Sequence, residues 1–359
     1  MTTLFSGTEV NTGRQTAIDL AKFFSIFFMV IIHTMECGNC NFDSGIGYFF
    51  DSVAGAQFAA PVFMAAMGIG LTFSRHSDSA TMLRRGLKLF VAGYLLNIVR
   101  ALPIFAMVWL KGDDSYYLKT VRELTDVDIF QFAGLAFMLI GLLKYMKLSM
   151  WWAYGLALIM TMAGNFVRLI DTGNFWLNLI ISPFVGVKSD LVTTDFPLLN
   201  WFIFVVIAYG MGKMIRHCTN LDKLYLIITP VAVAIYLSYV AYAVPHEQGM
   251  FDDLPQDFYH MKTLDVFICL CAIVMAFGLC QYFTTLLSEK AIRGVTHVSA
   301  DITRIYIAQW VLAKWVVQGL LTEYLELQFE SWIVIIIGVL ILLLSAFSAR
   351  VKPLSLLKI

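Results

Sequence analysis

Residues 332–349 read WIVIIIGVLILLLSAFSA, an apolar stretch that contains no charged side chain. The hydrocarbon core of a bilayer is about 30 Å thick, and about 20 apolar residues cross it as an α-helix. Nine further stretches qualify as spans, some clearly and some with embedded polar groups. Together the predicted spans are 16–38, 48–74, 86–110, 127–146, 149–170, 194–214, 223–244, 264–288, 298–321 and 331–349. The sequence therefore predicts an all-α, polytopic membrane protein with about ten transmembrane helices.

The overall composition agrees with this class. Hydrophobic residues make up 59% of the chain and charged residues 14%, against roughly 45–50% and about 25% in soluble domains. No predicted loop is long enough to fold as a soluble domain, so residues 1–359 are expected to form one helix-bundle domain. The apolar stretch 172–187 is short and broken by Gly and Pro, which favours an interfacial or re-entrant element. The formal net charge of zero indicates no nucleic-acid partner.

Lys and Arg residues are concentrated in alternate connections between the predicted spans. The basic connections hold Arg14, Arg75, Arg84, Arg85, Lys88, Lys144, Lys147, Lys213, Arg216, Lys223, Lys290, Arg293, Arg350, Lys352 and Lys358. The connections 36–47, 247–257 and 322–330 are acidic or neutral, and 111–128 is mixed. Because cytoplasmic loops carry the excess of Lys and Arg, both termini are predicted to be cytoplasmic.

The six cysteines include one pair with short spacing, Cys37-Gly-Asn-Cys40. If that loop lies outside the cytoplasm, a local disulfide is compatible with the spacing, and the question stays open. No second CxxC accompanies the pair, and no metal site is predicted.

The first predicted helix carries the densest set of ionisable residues: Asp19, Lys22, His33 and Glu36. At 100° per residue, Lys22 and His33 lie about 20° apart around the helix and about 16 Å apart along it. Asp19 shares this face, one turn below Lys22. Ionisable groups inside a membrane helix are costly, so this polar stripe is predicted to line a tunnel. The alternatives are an Asp19–Lys22 ion pair with a snorkelling lysine, and a purely structural His33.

Arg14…Asp19…Lys22-x10-His33 resembles the first-helix signature of membrane-bound acyltransferases of the acyltransferase-3 type. Residues 60–70 (APVFMAAMGIG) and 83–88 (LRRGLK) are similar to the related heparan-glucosaminide N-acetyltransferase branch. Within the second stretch, Arg85-x-x-Lys88 matches the family's Arg-x-x-Arg with one substitution. Ten helices with cytoplasmic ends is also that family's layout. A weaker similarity follows Ser299 at 305–310 (IYIAQW), where the family often has His and this chain has Gln309.

The resemblance implies that an acyl group moves from cytoplasmic acyl-CoA to an acceptor at the outer face. Acetyl-CoA is the leading expectation for the donor, and a sugar hydroxyl or amine for the acceptor. A glycan, a lipid-linked sugar, a peptidoglycan precursor and a small amine all stay open. The expected setting is the lipid of a bacterial plasma membrane, where the reaction would modify cell-envelope polysaccharide. A homodimer is also compatible with the sequence.

Roles for individual residues follow from the same resemblance. His33 would be the general base, with Glu36 orienting its imidazole. Lys22, together with Arg304, would neutralise donor phosphate or steady the stripe that includes Asp19. The cations that would bind coenzyme A phosphates are Arg14, Arg75, Arg84, Arg85 and Lys88. The rival explanations are ordinary positive-inside charge for the loop and an Asp301 pair for Arg304.

Two other classes of function compete with this one. A proton-coupled carrier would use Asp19, Lys22, His33 and Arg304 as a relay. No matched pair of Gly/Pro-broken spans in two halves supports it. A receptor or scaffold would not need the cation cluster that faces a buried histidine.

Overall fold

The computed structural model describes residues 4–40, 42, 45–75, 77–246 and 258–349, apart from the side chains of residues 52 and 53. In these residues the chain is helical and forms no β-strand. The helices are α1 Thr16–Cys37, α2 Gly45–Phe73, α3 Ser79–Lys111, α4 Ser115–Thr125, α5 Ile129–Tyr145, α6 Met150–Gly164, α7 Phe175–Ile181, α8 Leu198–His217, α9 Leu221–Ala243, α10 Thr263–Thr284, α11 Glu289–Ala300, α12 Ile302–Leu312 and α13 Ser331–Ser348. After Leu312, α12 continues as a π-helix over Ala313–Tyr324.

Seven of the described helices are long and apolar enough to cross a membrane, which confirms the all-α membrane class. They are α1, α2, α3, α8, α10, α13 and the segment Leu221–His246 that contains α9. The apolar helices α5 and α6 are shorter. Each of the ten predicted spans overlaps a helix, but ten membrane crossings stay a prediction.

Two helices are absent from the sequence-based prediction. Helix α4 lies in the connection 111–128, and α11 precedes a break at Asp301 that interrupts the predicted span 298–321. Both helices are amphipathic and carry several charges, so a search for long apolar stretches overlooks them. The short helix α7 agrees with the element predicted in 172–187, since it is too short to span a bilayer.

The helix ends fall into two groups by their contacts. At one end the N-terminal segment lies along the last turn of α8, where the Ser6 and Val10 N–H groups donate to the carbonyls of His217 and Arg216, each at 2.8 Å. At the other end the Thr322 hydroxyl donates to the Cys37 carbonyl at 3.1 Å. The N-terminal segment and the end of α8 thus meet at one end of the bundle, and the end of α1 and Thr322 meet at the other; which end is cytoplasmic stays a prediction. Residues 247–257 and 350–359, which hold further predicted topology signals, lie outside the described residues. Cys37 and Cys40 are both free thiols, so the structure forms no disulfide between them.

The close packing of α3 against α5 depends on two facing glycines. A Cβ atom on Gly134 would lie 2.7 Å from the Gly86 carbonyl oxygen, and one on Gly86 would lie 2.6 Å from the Gly134 oxygen. Small residues at such a crossing let two helix backbones approach. This crossing holds Arg85, next to Gly86, against α5, with its guanidinium 5.6 Å from the centre of the Phe137 ring.

We expect Gly134→Ala to lower the thermal unfolding midpoint of the detergent-solubilised protein, because the added methyl meets backbone atoms that cannot yield. Overpacking of this kind costs about 1–3 kcal/mol. The matched control is Gly155→Ala in α6, where nothing lies within 4 Å of the added Cβ. Alanine is the better helix former by about 0.5–1 kcal/mol, so the control should be neutral or slightly stabilising. Equal midpoints for the two variants would contradict the packing argument.

Candidate active site

His33 lies near the end of α1, and two residues of α12 fix the plane of its ring. The imidazole stacks on the Trp310 indole, with ring centroids 3.9 Å apart and an interplanar angle of 20°. On its edge, His33 Nδ1 lies 3.3 Å from Gln309 Oε1 and 3.1 Å from Gln309 Nε2. The amide can accept from a protonated Nδ1 or donate to an unprotonated one. In the first tautomer, His33 Nε2 has a free lone pair that can accept a proton.

A network of buried charges adjoins the histidine. Arg100, from the middle of α3, lies 2.6 Å from a Glu123 oxygen and 2.7 Å from an Asp128 oxygen. Asp126 is a third partner at 3.4 Å, and Lys314 pairs with Glu123 at 2.7 Å. All of these side chains are buried or nearly so. Buried charges are tolerated where they are paired in this way.

Two buried carboxylates beside the network, Glu123 and Asp195, have pKa values shifted in opposite directions. Burial acts to raise the pKa of Glu123, but the Arg100 and Lys314 cations outweigh it and lower that pKa to about 2. Burial, followed by the charges of Asp128 and Glu36, raises the pKa of Asp195 above its usual range.

Asp128 connects the charge network to the histidine side of the bundle. Its Oδ2 atom accepts from Arg100 at 2.7 Å and from the Tyr306 hydroxyl at 2.6 Å. Its Oδ1 atom accepts from the Ile129 N–H at 2.6 Å and so caps the start of α5. The centre of the Trp310 ring lies 3.9 Å from the guanidinium carbon of Arg100 and 3.9 Å from the centre of the His33 ring. The residues around His33 are thus held by several contacts each.

His33 faces a cavity of about 290 Å³, called here the outer cavity. Its polar lining includes His33, Glu36, Asp128, Asp195, Tyr259 and Tyr306. Carboxylic, phenolic and imidazole groups together can both donate and accept hydrogen bonds. This cavity can therefore hold a polar molecule beside an imidazole.

A second cavity, of about 270 Å³, lies toward the basic end of the same helices and is called here the inner cavity. Its lining includes Lys22, Phe63, Met67, Arg85, Ile129 and Thr303. The same four helices, α1, α2, α5 and α12, contribute to both cavities, and Ile129 lines both of them. The two cavities are therefore arranged end to end and meet at Ile129. Lys22 and Arg85 line the inner cavity, and His33 lines the outer one together with the cations Arg122 and Lys188.

The family model described as an acyltransferase domain, that of the acyltransferase-3 family, matches residues 15–350. The chain belongs to the acyltransferase-3 family. No curated protein and no solved structure matches it. Together with the apolar helices, membership of this acyltransferase family identifies a multi-pass membrane acyltransferase.

The residues of the polar stripe predicted on α1 do not all line the same cavity. Lys22 lines the inner cavity, whereas His33 and Glu36 line the outer one. Asp19 lines neither of them: it pairs with Arg14 and accepts from the Ser299 hydroxyl at 2.6 Å. Among the described residues Lys22 forms no ion pair, so Asp19 is held by Arg14 rather than by Lys22. The structure places Gln309, and not Glu36, on His33 Nδ1.

The predicted donor-binding cations also separate. Arg85 lines the inner cavity, while Arg84 and Lys88 are exposed on the same helix and line neither cavity. Arg304 pairs with Asp301 at 2.7 Å, as the rival explanation for it expected, and lies outside both cavities. Arg14 is half exposed near the start of α1.

Sequence reasoning missed the network of Arg100, Glu123, Asp126, Asp128 and Lys314, as well as the roles of its neighbours on α12. A signal was present for two of them, because Arg100 and Lys314 are charges inside predicted spans. Asp128 lies at the edge of a predicted span, and an acidic residue at that position is usually interpreted as part of the adjoining loop. The partners of Arg100 come from α4 and from the connection that follows it, and α4 was not predicted.

Proposed function

We propose that the protein transfers an acyl group, acetyl foremost, from cytoplasmic acyl-CoA to a hydroxyl or amine in the outer cavity. The observation that carries this proposal is the end-to-end arrangement of the two cavities between α1, α2, α5 and α12. Lys22 and Arg85 line the inner end, and His33 lines the outer end. A donor with a phosphorylated head and a long, thin thioester arm suits such a path.

Donor binding begins at the basic end of α3. Arg85 reaches the inner cavity, and the exposed Arg84 and Lys88 present two further cations on the same helix. Guanidinium groups bind phosphate through paired, charge-assisted hydrogen bonds. Lys22 lies in the same cavity and can neutralise a diphosphate. The pantetheine arm would then extend as far as Ile129, so that the acyl group passes this residue toward His33.

The chemistry needs one group that takes and returns a proton. In the Nδ1-protonated tautomer, His33 Nε2 accepts the proton of the acceptor hydroxyl or amine as its oxygen or nitrogen attacks the thioester carbon. The C–S bond then breaks, and the imidazolium returns the proton to the leaving thiolate of coenzyme A. Gln309 and Trp310 hold the ring in position for both steps.

The acceptor would bind in the outer cavity. Asp195, Glu36 and the hydroxyls of Tyr259 and Tyr306 offer hydrogen-bond donors and acceptors of the kind that a sugar engages. We therefore favour a carbohydrate or lipid-linked sugar acceptor. Modification of cell-envelope polysaccharide at a bacterial plasma membrane would fit a reaction that takes its donor and its acceptor from opposite faces.

Release of coenzyme A tests the proposal directly. Purified protein in liposomes, given acetyl-CoA, should release free thiol slowly by hydrolysis and faster when a suitable sugar is added. The thiol is followed with a chromogenic disulfide, and the acetylated sugar by mass spectrometry. A protein that moves a solute across the liposome membrane and releases no thiol would instead be a carrier, and the proposal would be wrong.

Charge removal at the basic end is expected to weaken donor binding. A charge-assisted hydrogen bond contributes about 1.5–3 kcal/mol, so the double variant Arg84→Ala, Arg85→Ala should raise the Kd for acetyl-CoA at least about 10-fold. Calorimetric titration measures this, and the effect should shrink at high salt. Arg85→Ala alone should account for most of the loss, since Arg85 lines the inner cavity. The control is Arg293→Ala on α11, and unchanged affinity in the double variant would contradict the assignment.

A further inference from the structure

We infer that Ile129 sets the length of acyl chain that the enzyme accepts. The inference rests on the proposed function, since it concerns the passage of the thioester from the inner to the outer cavity. Ile129 is 1% exposed to solvent and lines both cavities. A donor that binds Arg85 at one end and reaches His33 at the other must therefore pass this side chain.

The residues on either side of Ile129 differ in size. On the inner side, the aromatic rings of Phe63 and Phe130 line the cavity. On the outer side, α2 contributes the small residues Ala56, Ala59 and Ala60. Apolar side chains thus line part of each cavity beside the polar groups, as an acyl group requires.

The backbone at this point is fixed by the charge network. The Asp128 carboxylate caps the Ile129 N–H and is itself held by Arg100 and Tyr306. Because Arg100 of α3 and Tyr306 of α12 both hold Asp128, the start of α5 cannot easily shift to admit a larger group. The Ile129 side chain is then what determines the width of the passage. A smaller residue should widen it without moving the backbone.

The test is the ratio of kcat/KM for butyryl-CoA to that for acetyl-CoA. Discrimination by a hydrophobic site is worth about 10–200-fold per methylene group. Ile129→Ala should raise this ratio at least about 10-fold, and Ile129→Val should raise it less. In the opposite direction, Ile129→Trp should abolish transfer from both donors, while free coenzyme A should still bind measurably through the cations at the basic end.

The matched control is Ile140→Ala, in the same helix. Ile140 is also 1% exposed, but it lines neither cavity, so its loss should lower stability without changing the donor ratio. An unchanged ratio in both Ile129→Ala and Ile129→Val would overturn the inference, and so would equal changes in Ile129→Ala and Ile140→Ala. If instead the proposed function is wrong, the wild-type protein itself will release no thiol from any donor, and this outcome differs from both of the results above.

Discussion

His33→Gln is expected to lower the rate of acyl transfer about 10²–10⁴-fold, the usual loss on removal of a general base. Glutamine keeps much of the size of histidine and its hydrogen bonding to Gln309, but it cannot take up a proton. The affinity for acetyl-CoA should stay near that of the wild type, because the phosphate-binding cations belong to the inner cavity. Single-turnover transfer and calorimetric titration measure the two quantities separately.

His297→Gln serves as the control for this variant. His297 is exposed on α11 and lines neither cavity, so its replacement tests the loss of a histidine without the loss of the proposed base. Near-normal turnover in His33→Gln would make His33 a structural residue. The carrier hypothesis would then regain support, since a polar path with no chemistry at its end would remain.

The sequence predicted the helical class and the position of His33 because both depend on local patterns. A long apolar stretch needs a membrane helix whatever surrounds it, and the angle between Lys22 and His33 follows from helix geometry alone. The two residues do line cavities, as a tunnel-lining face predicts. Asp19 shares their face and yet lines neither cavity, because Arg14 and Ser299 engage its carboxylate. Helical periodicity identifies a face, and the neighbouring helices determine what each residue on that face meets.

The surroundings of His33 could not be predicted because they come from distant parts of the chain. Gln309 stood out in the sequence only as a departure from a histidine that the family often has at this position. In the structure its amide is within hydrogen-bond distance of His33 Nδ1, a contact that the sequence analysis predicted for Glu36. The carboxylates of Glu123 and Asp128 meet Arg100 only once α4, which follows α3 in the chain, folds back onto it. Pairings of this kind depend on tertiary structure and leave no periodic signal.

Arg100→Met is expected to be the most destabilising single substitution in the charge network. The arginine is the shared partner of Glu123, Asp126 and Asp128, and methionine would leave the last two carboxylates buried with no cation. Removing one partner of a buried ion pair costs about 3–5 kcal/mol, because the other charge stays unpaired. Glu123 keeps Lys314, so the damage should centre on the start of α5. Unfolding by increasing fractions of SDS in mixed micelles measures the loss.

The control is Arg293→Met, which removes an arginine whose pair with Glu289 is exposed, at 68% and 90% for the two side chains. Pairs of this kind contribute little, so its unfolding curve should overlay that of the wild type. Asp128→Asn in the Arg100→Met background should restore part of the lost stability, because it removes one of the uncompensated charges and keeps an oxygen that can accept from Ile129 or Tyr306. If Arg100→Met unfolds like the control, the network does not hold the start of α5. Ile129 would then no longer be fixed between the two cavities by Asp128, and a widened passage would have to be explained by movement of the helix.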